Sequence, residues 1–215
     1  MTKKKAGGNP APAPTAAAAA ASPATEAAVS AEGLAAVARR AVSKGPAPVH
    51  LWNPPFCGDL DIRIARDGTW FYLGTPIGRK PLVKLFSSVL KREGDSYFLV
   101  TPVEKVGITV DDAPFVAIDF RIEGEGRAQR VIFTTQVDDE VTAGPENPIR
   151  VTRDPETGEP APYVMIRAGM EALIDRKSFY RLVEIGTEAE TGGVEQFGIW
   201  SDGEFFPFIP AAELA

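Results

Sequence analysis

The sequence predicts a β-rich α+β protein made of two similar strand–helix–strand modules. Most of the chain after residue 46 consists of short segments in which apolar and polar residues alternate, separated by turns rich in Gly, Pro and Asp. Two stretches change to helical spacing, and their sequences are alike, since Arg79–Phe86 parallels Arg176–Val183. A repeated unit accounts for this pattern, because two half-open sheets can bury their apolar faces against each other and against their helices.

The first 45 residues are predicted to contribute a tail and a helix. Residues 1–24 are rich in Ala and Pro and bury too little apolar surface to offset the entropy of ordering, so we expect a disordered tail. Residues 25–45 comprise a helix and a linker. Thr25 can cap that helix, and Leu34 and Val37 fall at helical spacing. Because its apolar face is mostly alanine, we expect the helix to hold a core weakly.

The first module is predicted to span residues 46–147. Residues 60–64 alternate between apolar and charged side chains, and Arg66–Gly68 forms the turn into the next strand. The helical stretch runs over Lys80–Arg92, with Gly94 just beyond its end. Further strands are predicted at Ser96–Thr101, Val106–Val110, Val116–Ile122 and Val131–Val137, with a hairpin turn at Glu123–Gly126.

The second module is predicted to span residues 148–215. Ile149–Thr152 and Tyr163–Arg167 form a hairpin around the turn residues Asp154–Gly158. Asp175 then caps a helix. The last hairpin pairs Phe197–Trp200 with Phe205–Phe208.

Charge and composition limit the classes of partner. Of 23 basic and 29 acidic residues, six basic and two acidic residues precede residue 46, which leaves 17 basic against 27 acidic residues in the rest. That part should be repelled by phosphate backbone and by anionic lipid, so neither general nucleic-acid binding nor membrane binding is expected. Cys57 is the single cysteine, which excludes an intrachain disulfide, and no apolar run approaches the roughly 18 residues of a membrane span. We therefore expect a cytoplasmic protein.

Two residue pairs are candidates for catalysis, and neither is specific. His50 and Cys57 would supply a base and a nucleophile, but a separation of seven positions that includes two prolines does not define a geometry. Asp59 and Asp61 would share one face of a strand and could bind Mg²⁺, yet any half-exposed strand shows this alternation. We expect Cys57 to pack in the interior. The sequence thus predicts a non-enzymatic protein with no cofactor or metal, and a hydrolase is the last of the alternatives.

The most informative side chains are arginines that accompany aromatic residues. An aromatic ring can stack on a planar base, while arginine binds phosphate or carboxylate with two hydrogen bonds. The set predicts a small anionic, nucleotide-like ligand bound between the two modules by Trp52, Asn53, Arg63, Trp70, Arg79, Arg167 and Arg176. In the alternative interpretation, the tryptophans belong to the core and the arginines pair with neighbouring acids. A protein-interaction module that uses open sheet edges is a further alternative.

One long run carries a family resemblance. The segment His50–Asp61, with Trp52–Phe56 at its centre, resembles the bacterial domain of unknown function 1285 family, and the likeness continues over Ile64–Tyr72. Further similar segments are Gly74–Arg79, Phe133–Val137, Pro162–Val164, Arg167–Gly169, Leu173–Arg176 and Phe179–Val183. The resemblance extends from about residue 46 to the end and leaves the Ala/Pro tail outside. It implies a duplicated α+β architecture with a second half similar to a pleckstrin-homology-type barrel, ligand binding between the halves, and a role in signalling.

Overall fold

The computed structural model describes residues 30–42, 46–155 and 157–214, which form three α-helices and fifteen strands. The helices are α1 Ala31–Ala41, α2 Lys80–Ser88 and α3 Arg176–Glu184. The strands are β1 Phe56–Ile64, β2 Trp70–Tyr72, β3 Thr75–Pro76, β4 Leu90–Glu93, β5 Ser96–Val100, β6 Lys105–Val110, β7 Phe115–Glu123, β8 Arg130–Thr135, β9 Glu140–Thr142, β10 Ile149–Arg153, β11 Pro160–Arg167, β12 Met170–Ile174, β13 Thr187–Thr191, β14 Val194–Ser201 and β15 Glu204–Pro210. No helix within these ranges is long and apolar enough to cross a membrane.

The first sheet has the order β3-β2-β1-β6-β5-β4, and α2 connects β3 to β4. Strand β1 follows its sequence pattern, because Leu60, Ile62 and Ile64 are buried while the charged residues between them are exposed. Parallel pairing of β1 with β6 brings the first and last strands of this unit together. The unit therefore reads strands, helix, strands.

The second sheet has the order β10-β11-β12-β7-β8-β9. Strand β12 leads into α3, which is followed by a third sheet of order β13-β14-β15. The order strands, helix, strands thus occurs twice along the chain. The predicted β-rich α+β fold with two similar modules is confirmed.

The division between the sheets differs from the predicted module boundary after residue 147. Strand β7 pairs in parallel with β12, with Ala172 opposite Phe115 and Ile174 opposite Ala117. Strands β7, β8 and β9 therefore belong to the second sheet, although they precede residue 147. The chain passes from the first sheet to the second between β6 and β7. The sequence pattern does not show this boundary, because β7 joins the second sheet by pairing with β12, which is far along the chain.

Helix α2 is shorter than the predicted range Lys80–Arg92. The hydroxyls of Ser87 and Ser88 donate hydrogen bonds to the carbonyls of Lys84 and Leu85, at 2.9 and 2.6 Å, and the helix ends there. The following residues form β4, which pairs with β5. Gly94, with φ of 60°, lies in the turn between those strands and does not end a helix.

Helix α1 packs firmly despite its alanine-rich face. Ser30 caps it by accepting a hydrogen bond from the backbone N–H of Gly33, while the predicted cap Thr25 and the tail lie outside the described residues. Leu34 and Ala38 are fully buried in the main hydrophobic core. Small side chains let the helix approach its neighbours closely, which offsets their small apolar area. The buried face of α1 therefore holds the helix against the core beside α2.

Candidate anion-binding site

Two adjoining hollows lie where the N-terminal end of α2 meets α1. One has a volume of about 320 Å³ and is bounded by α1, the β2–β3 hairpin and the start of α2. The other, of about 470 Å³, continues along the first two turns of α2. Both hollows are lined by Arg39, Gly78, Arg79 and Leu82.

Arg79 occupies the N-cap position of α2, and its side chain does not cap the helix. Its backbone is extended, with φ of −89° and ψ of 94°, and its carbonyl accepts hydrogen bonds from the N–H groups of Leu82 and Val83 at 2.9 and 3.2 Å. Pro81 lies in the first turn, where its missing N–H costs nothing. The guanidinium therefore stands exposed at the positive end of a helix of nine residues.

Arg39 approaches the same hollows from the last turn of α1. Burial of Leu34 and Ala38 fixes that helix, and with it the position of Arg39. Within the described part of the chain, neither the Arg39 nor the Arg79 guanidinium forms an ion pair or a hydrogen bond. Two unpaired guanidinium groups therefore border both hollows.

Two further charged residues line the hollows, Lys80 in the larger one and Glu32 in the smaller one. Lys80 donates a hydrogen bond to Asp138 at 2.9 Å, and Lys84 pairs with the same carboxylate at 3.4 Å. These contacts, the bond from Lys80 first among them, lower the pKa of Asp138. Lys80 is thus neutralised locally, whereas Arg79 is not. Among the described residues that line the two hollows, Glu32 alone is acidic.

The floor of the smaller hollow is apolar and aromatic. Phe86 is fully buried, and Tyr72 and Ile77 are half-buried beside it. Trp70 stacks behind Phe86, with ring centroids 6.2 Å apart and an angle of 21° between the ring planes. Guanidinium groups at the rim and rings at the floor can hold a ligand that joins an anionic group to a planar or apolar one.

Two family models together match residues 47–208 of the chain. The domain of unknown function (DUF1285), N-terminal domain, matches residues 47–113, and the protein of unknown function (DUF1285), C-terminal domain, matches residues 114–208. The chain is 65% identical to a DUF1285 family protein from Silicibacter pomeroyi DSS-3 of known crystal structure, with a TM-score of 0.78 over 85% of this chain and 97% of that one. The chain belongs to the DUF1285 family.

A second DUF1285 crystal structure is more distant. The protein from Shewanella baltica OS155 is 27% identical, with a TM-score of 0.46 over 58% of this chain and 91% of that one. No curated protein matches the chain. The boundary between the two DUF1285 domains, at residues 113 and 114, coincides with the change from the first sheet to the second.

The predicted arginines of this DUF1285 protein do not converge on one groove. Arg63 forms a two-point ion pair with Asp111, with its Nε 2.9 Å from Oδ1 and its Nη2 2.5 Å from Oδ2. Arg167 pairs with Asp139 and also donates to the Ser87 carbonyl at 2.9 Å. The groups are separated because each is held by a partner on a neighbouring element, as the alternative interpretation expected.

The predicted aromatic platforms are largely enclosed. Trp70 is 1% exposed and belongs to the core, so its ring cannot stack on a ligand. Trp52 is half-buried and packs against the same core, whereas Asn53 is exposed. Of the seven predicted site residues, Arg79 lines the hollows at α2, and Trp70 supports their floor from behind.

A cavity of about 460 Å³ lies between the modules and contains Arg176. Arg66 reaches it from the turn after β1, while its other lining residues come from the second half of the chain. Arg176 pairs with Glu159 at 2.9 Å, and Arg66 pairs with Asp112 at 3.2 Å. The positive charge of this cavity is thus offset, which distinguishes it from the hollows at α2.

The candidate catalytic residues of this DUF1285 chain lie at the surface. Cys57 is exposed, which corrects the expectation that it packs inside, because it precedes the buried part of β1. Its thiol donates to the Pro55 carbonyl at 3.4 Å. Asp59 and Asp61 are exposed on the same strand. In the described ranges, no three His, Cys, Asp or Glu side chains are grouped so that they could hold a metal ion.

Arg39 is the site residue that the sequence did not reveal. It was assigned to a helix beside the tail, and both DUF1285 domain matches begin after it, at residue 47 or later. A usable signal was present in the basic end of α1, because Arg39 and Arg40 follow an apolar stripe that must face the protein. An arginine beside the buried face of a helix lies next to the elements on which that helix packs, and for Arg39 this element is α2.

Proposed function

We propose that this protein is a non-enzymatic binding protein for a small anionic, nucleotide-like ligand, and that it acts in regulation. The observation that carries the proposal is the pair of exposed, unpartnered guanidinium groups of Arg39 and Arg79 at the rim of the two hollows. The proposed site lies at α1 and α2 of the first unit and not between the modules. Arg39 and Arg79 would bind the anionic group, and Tyr72 would contact the planar part.

The electrostatics of the chain support an anion at this place. The sequence after residue 45 is strongly acidic, and most of its arginines lie in ion pairs, such as Arg63 with Asp111 and Arg121 with Glu140. A cation at the N-terminal end of a helix is unfavourable by about 0.3–1 kcal/mol, because the macrodipole is positive there. A bound phosphate or carboxylate reverses the sign of that interaction and accepts hydrogen bonds from arginine with good geometry.

The size of the hollows supports a small ligand. Ligand sites in proteins occupy about 300–1,000 Å³, mostly apolar with a few convergent polar groups. The smaller hollow alone, at about 320 Å³, reaches the lower limit, and its floor is formed by Phe86, Tyr72 and Ile77. The second hollow gives the ligand room to extend along α2.

Thermal shift measurements with nucleotides, inorganic phosphate and pyrophosphate test the proposal. A ligand that binds the folded state raises stability by RT ln(1 + [L]/Kd), about 2.7 kcal/mol at a hundredfold excess over Kd. We expect at least one nucleotide to raise the Tm, and we expect Arg79→Ala and Arg39→Ala to abolish that rise while the ligand-free Tm stays within a few degrees.

Arg40→Ala is the matched control, because Arg40 is an exposed neighbour on α1 that lines neither hollow. It should keep the ligand-induced rise. If no anion in the panel moves the Tm, the proposal fails. A rise that is lost in Arg176→Ala and kept in Arg79→Ala would instead locate the ligand in the cavity between the modules, and would also refute the site proposed here.

A further inference from the structure

We propose that the outer edge of β13 binds an extended basic segment of a partner protein by adding it as a fourth strand to the third sheet. This sheet has the order β13-β14-β15, and β13 pairs with β14 on one side. Among the described residues no strand pairs with its other side. The backbone groups directed outward from β13 can therefore form a strand ladder with a partner chain. The proposal is independent of the anion site.

The charge of this sheet has one sign. Residues 182–215 contain seven acidic residues and no Lys, Arg or His. Glu188 and Glu190 are exposed on β13, and Glu190 lies directly opposite Glu195 of β14. Residues two apart on a strand share a face, and so do residues directly opposite each other, so these three carboxylates lie together on one face.

This arrangement is unfavourable without a cationic partner. Like charges directly opposite each other destabilise a strand pair. Some other exposed acids in the second half do form ion pairs, since Glu213 pairs with Arg153 and Glu159 pairs with Arg176. Glu188, Glu190 and Glu195 have no ion pair with any described residue. A basic strand beside β13 would remove this repulsion.

The geometry defines the chemistry of the partner. In an added strand, residues that face Glu188 and Glu190 are themselves two apart, so the partner needs Lys or Arg at alternate positions. A second copy of this strand does not fit, because pairing β13 with itself would bring more glutamates together. A basic, extended protein segment is therefore the expected occupant.

A synthetic peptide of alternating Thr and Lys is the probe. We expect it to shift the backbone amide resonances of residues 187–191 of the full chain, with an affinity that falls as salt rises. The double variant Glu188→Gln, Glu190→Gln should weaken binding roughly tenfold, at up to about fivefold for each exposed ion pair. The double variant Glu125→Gln, Glu204→Gln is the control, because it changes the net charge by the same amount. Both glutamates are exposed, and neither belongs to β13 or β14.

Two further measurements distinguish strand addition from charge attraction. The same peptide with alternate backbone amides N-methylated keeps its charge but loses the N–H groups that donate hydrogen bonds to β13, so it should not bind. Equal binding by both peptides overturns the proposal. Equal weakening by the two double variants overturns it as well. Deletion of residues 1–24, which contain Lys3, Lys4 and Lys5, should leave peptide affinity unchanged. A large gain in affinity on deletion would assign the edge to the chain's own basic segment and would refute a partner protein.

Discussion

At the scale of single residues, the N-cap positions of α2 and α3 carry side chains of opposite charge, Arg79 and Asp175. Both helices contain nine residues and follow a strand hairpin. Asp175 accepts a hydrogen bond from the backbone N–H of Ser178 at 2.7 Å, which compensates the positive end of α3. Arg79 holds the same position before α2 and makes no such bond. One helix start is satisfied from within the chain, and the other is available to an external anion.

Replacing Arg79 with Asp should exchange ligand binding for stability. The extended backbone at residue 79 suits an N-cap residue, so Arg79→Asp is expected to raise the free energy of unfolding by about 1 kcal/mol. The same carboxylate should abolish anion-dependent stabilisation, because it repels the ligand and removes a guanidinium. Urea unfolding followed by circular dichroism measures the first effect, and thermal shifts with the anion panel measure the second.

Asp175 provides the control for this comparison. Asp175→Ala should lower the free energy of unfolding by about 1 kcal/mol, whereas Asp175→Asn should change it little, because Asn caps helices as well as Asp does. Equal stability of wild type and Asp175→Ala would contradict the argument from capping. In that case no gain should be expected from a carboxylate at residue 79.

At the scale of secondary-structure elements, one buried hydroxyl joins the third sheet to the second. Ser201, in β14, is fully buried. Its Oγ accepts a hydrogen bond from the backbone N–H of Val131 at 2.9 Å and donates one to the Ala143 carbonyl at 2.7 Å. Val131 belongs to β8, and Ala143 directly follows β9. The hydroxyl thus provides hydrogen-bond partners for the Val131 N–H and the Ala143 carbonyl.

Removing that hydroxyl should be costly. Ser201→Ala leaves a buried donor and a buried acceptor unpaired, at about 1–3 kcal/mol each, so we expect the free energy of unfolding to fall by about 2–6 kcal/mol. Ser96→Ala on β5, where the side chain is exposed, should change it by less than about 0.5 kcal/mol. Urea denaturation at equilibrium provides both values, and similar values for the two variants would show that Ser201 is not a structural link.

Local patterns predicted the elements better than their ends. The hairpin of β10 and β11, the cap at Asp175 and the final hairpin are formed by residues close in sequence, and the structure confirms all three. The helix Lys80–Arg92 was predicted too long because Val89 and Leu90 continue its apolar stripe. Those residues are buried as expected, but Leu90 pairs with Leu99 of β5, a contact that helical periodicity does not reveal.

At the scale of the whole molecule, the sequence could not show which charges meet. The fold class followed from periodicity and repetition, whereas the module boundary depends on pairing between β7 and β12, whose residues are far apart in sequence. The same limit applied to the predicted site. Whether Arg167 meets Arg79 or pairs with Asp139 depends on how two sheets pack, and one slip in register would turn each side chain to the other face. Arg39 joined the site because α1 packs beside α2, again a contact between distant segments.

A polar network links the two parts of the molecule at the half-buried Asp112, in the loop between β6 and β7. The hydroxyl of Tyr163 donates to Asp112 Oδ1 at 2.8 Å, and Arg66 Nε lies 3.2 Å from Oδ2 of the same residue. The guanidinium of Arg150 lies over the Tyr163 ring, 4.2 Å from its centroid. Burial, with the hydrogen bond to Asp112 next in size, raises the pKa of Tyr163 from 10 to about 12.

This network predicts a specific loss of stability at alkaline pH. Because the folded pKa of Tyr163 lies above its unfolded value, its contribution is fully present below pH 10 and is lost as the pH rises towards 12, by about 2–3 kcal/mol for a shift of two units. Tyr163→Phe removes both the hydrogen bond and the titration, so the variant should be less stable at pH 8, and its deficit should shrink between pH 10 and 11.5. Urea unfolding of both proteins across this range measures the difference. Tyr180→Phe, at an exposed position, should keep the wild-type decline. A deficit for Tyr163→Phe that stays constant to pH 11.5 would show that folding does not raise the pKa of Tyr163, and would contradict this prediction.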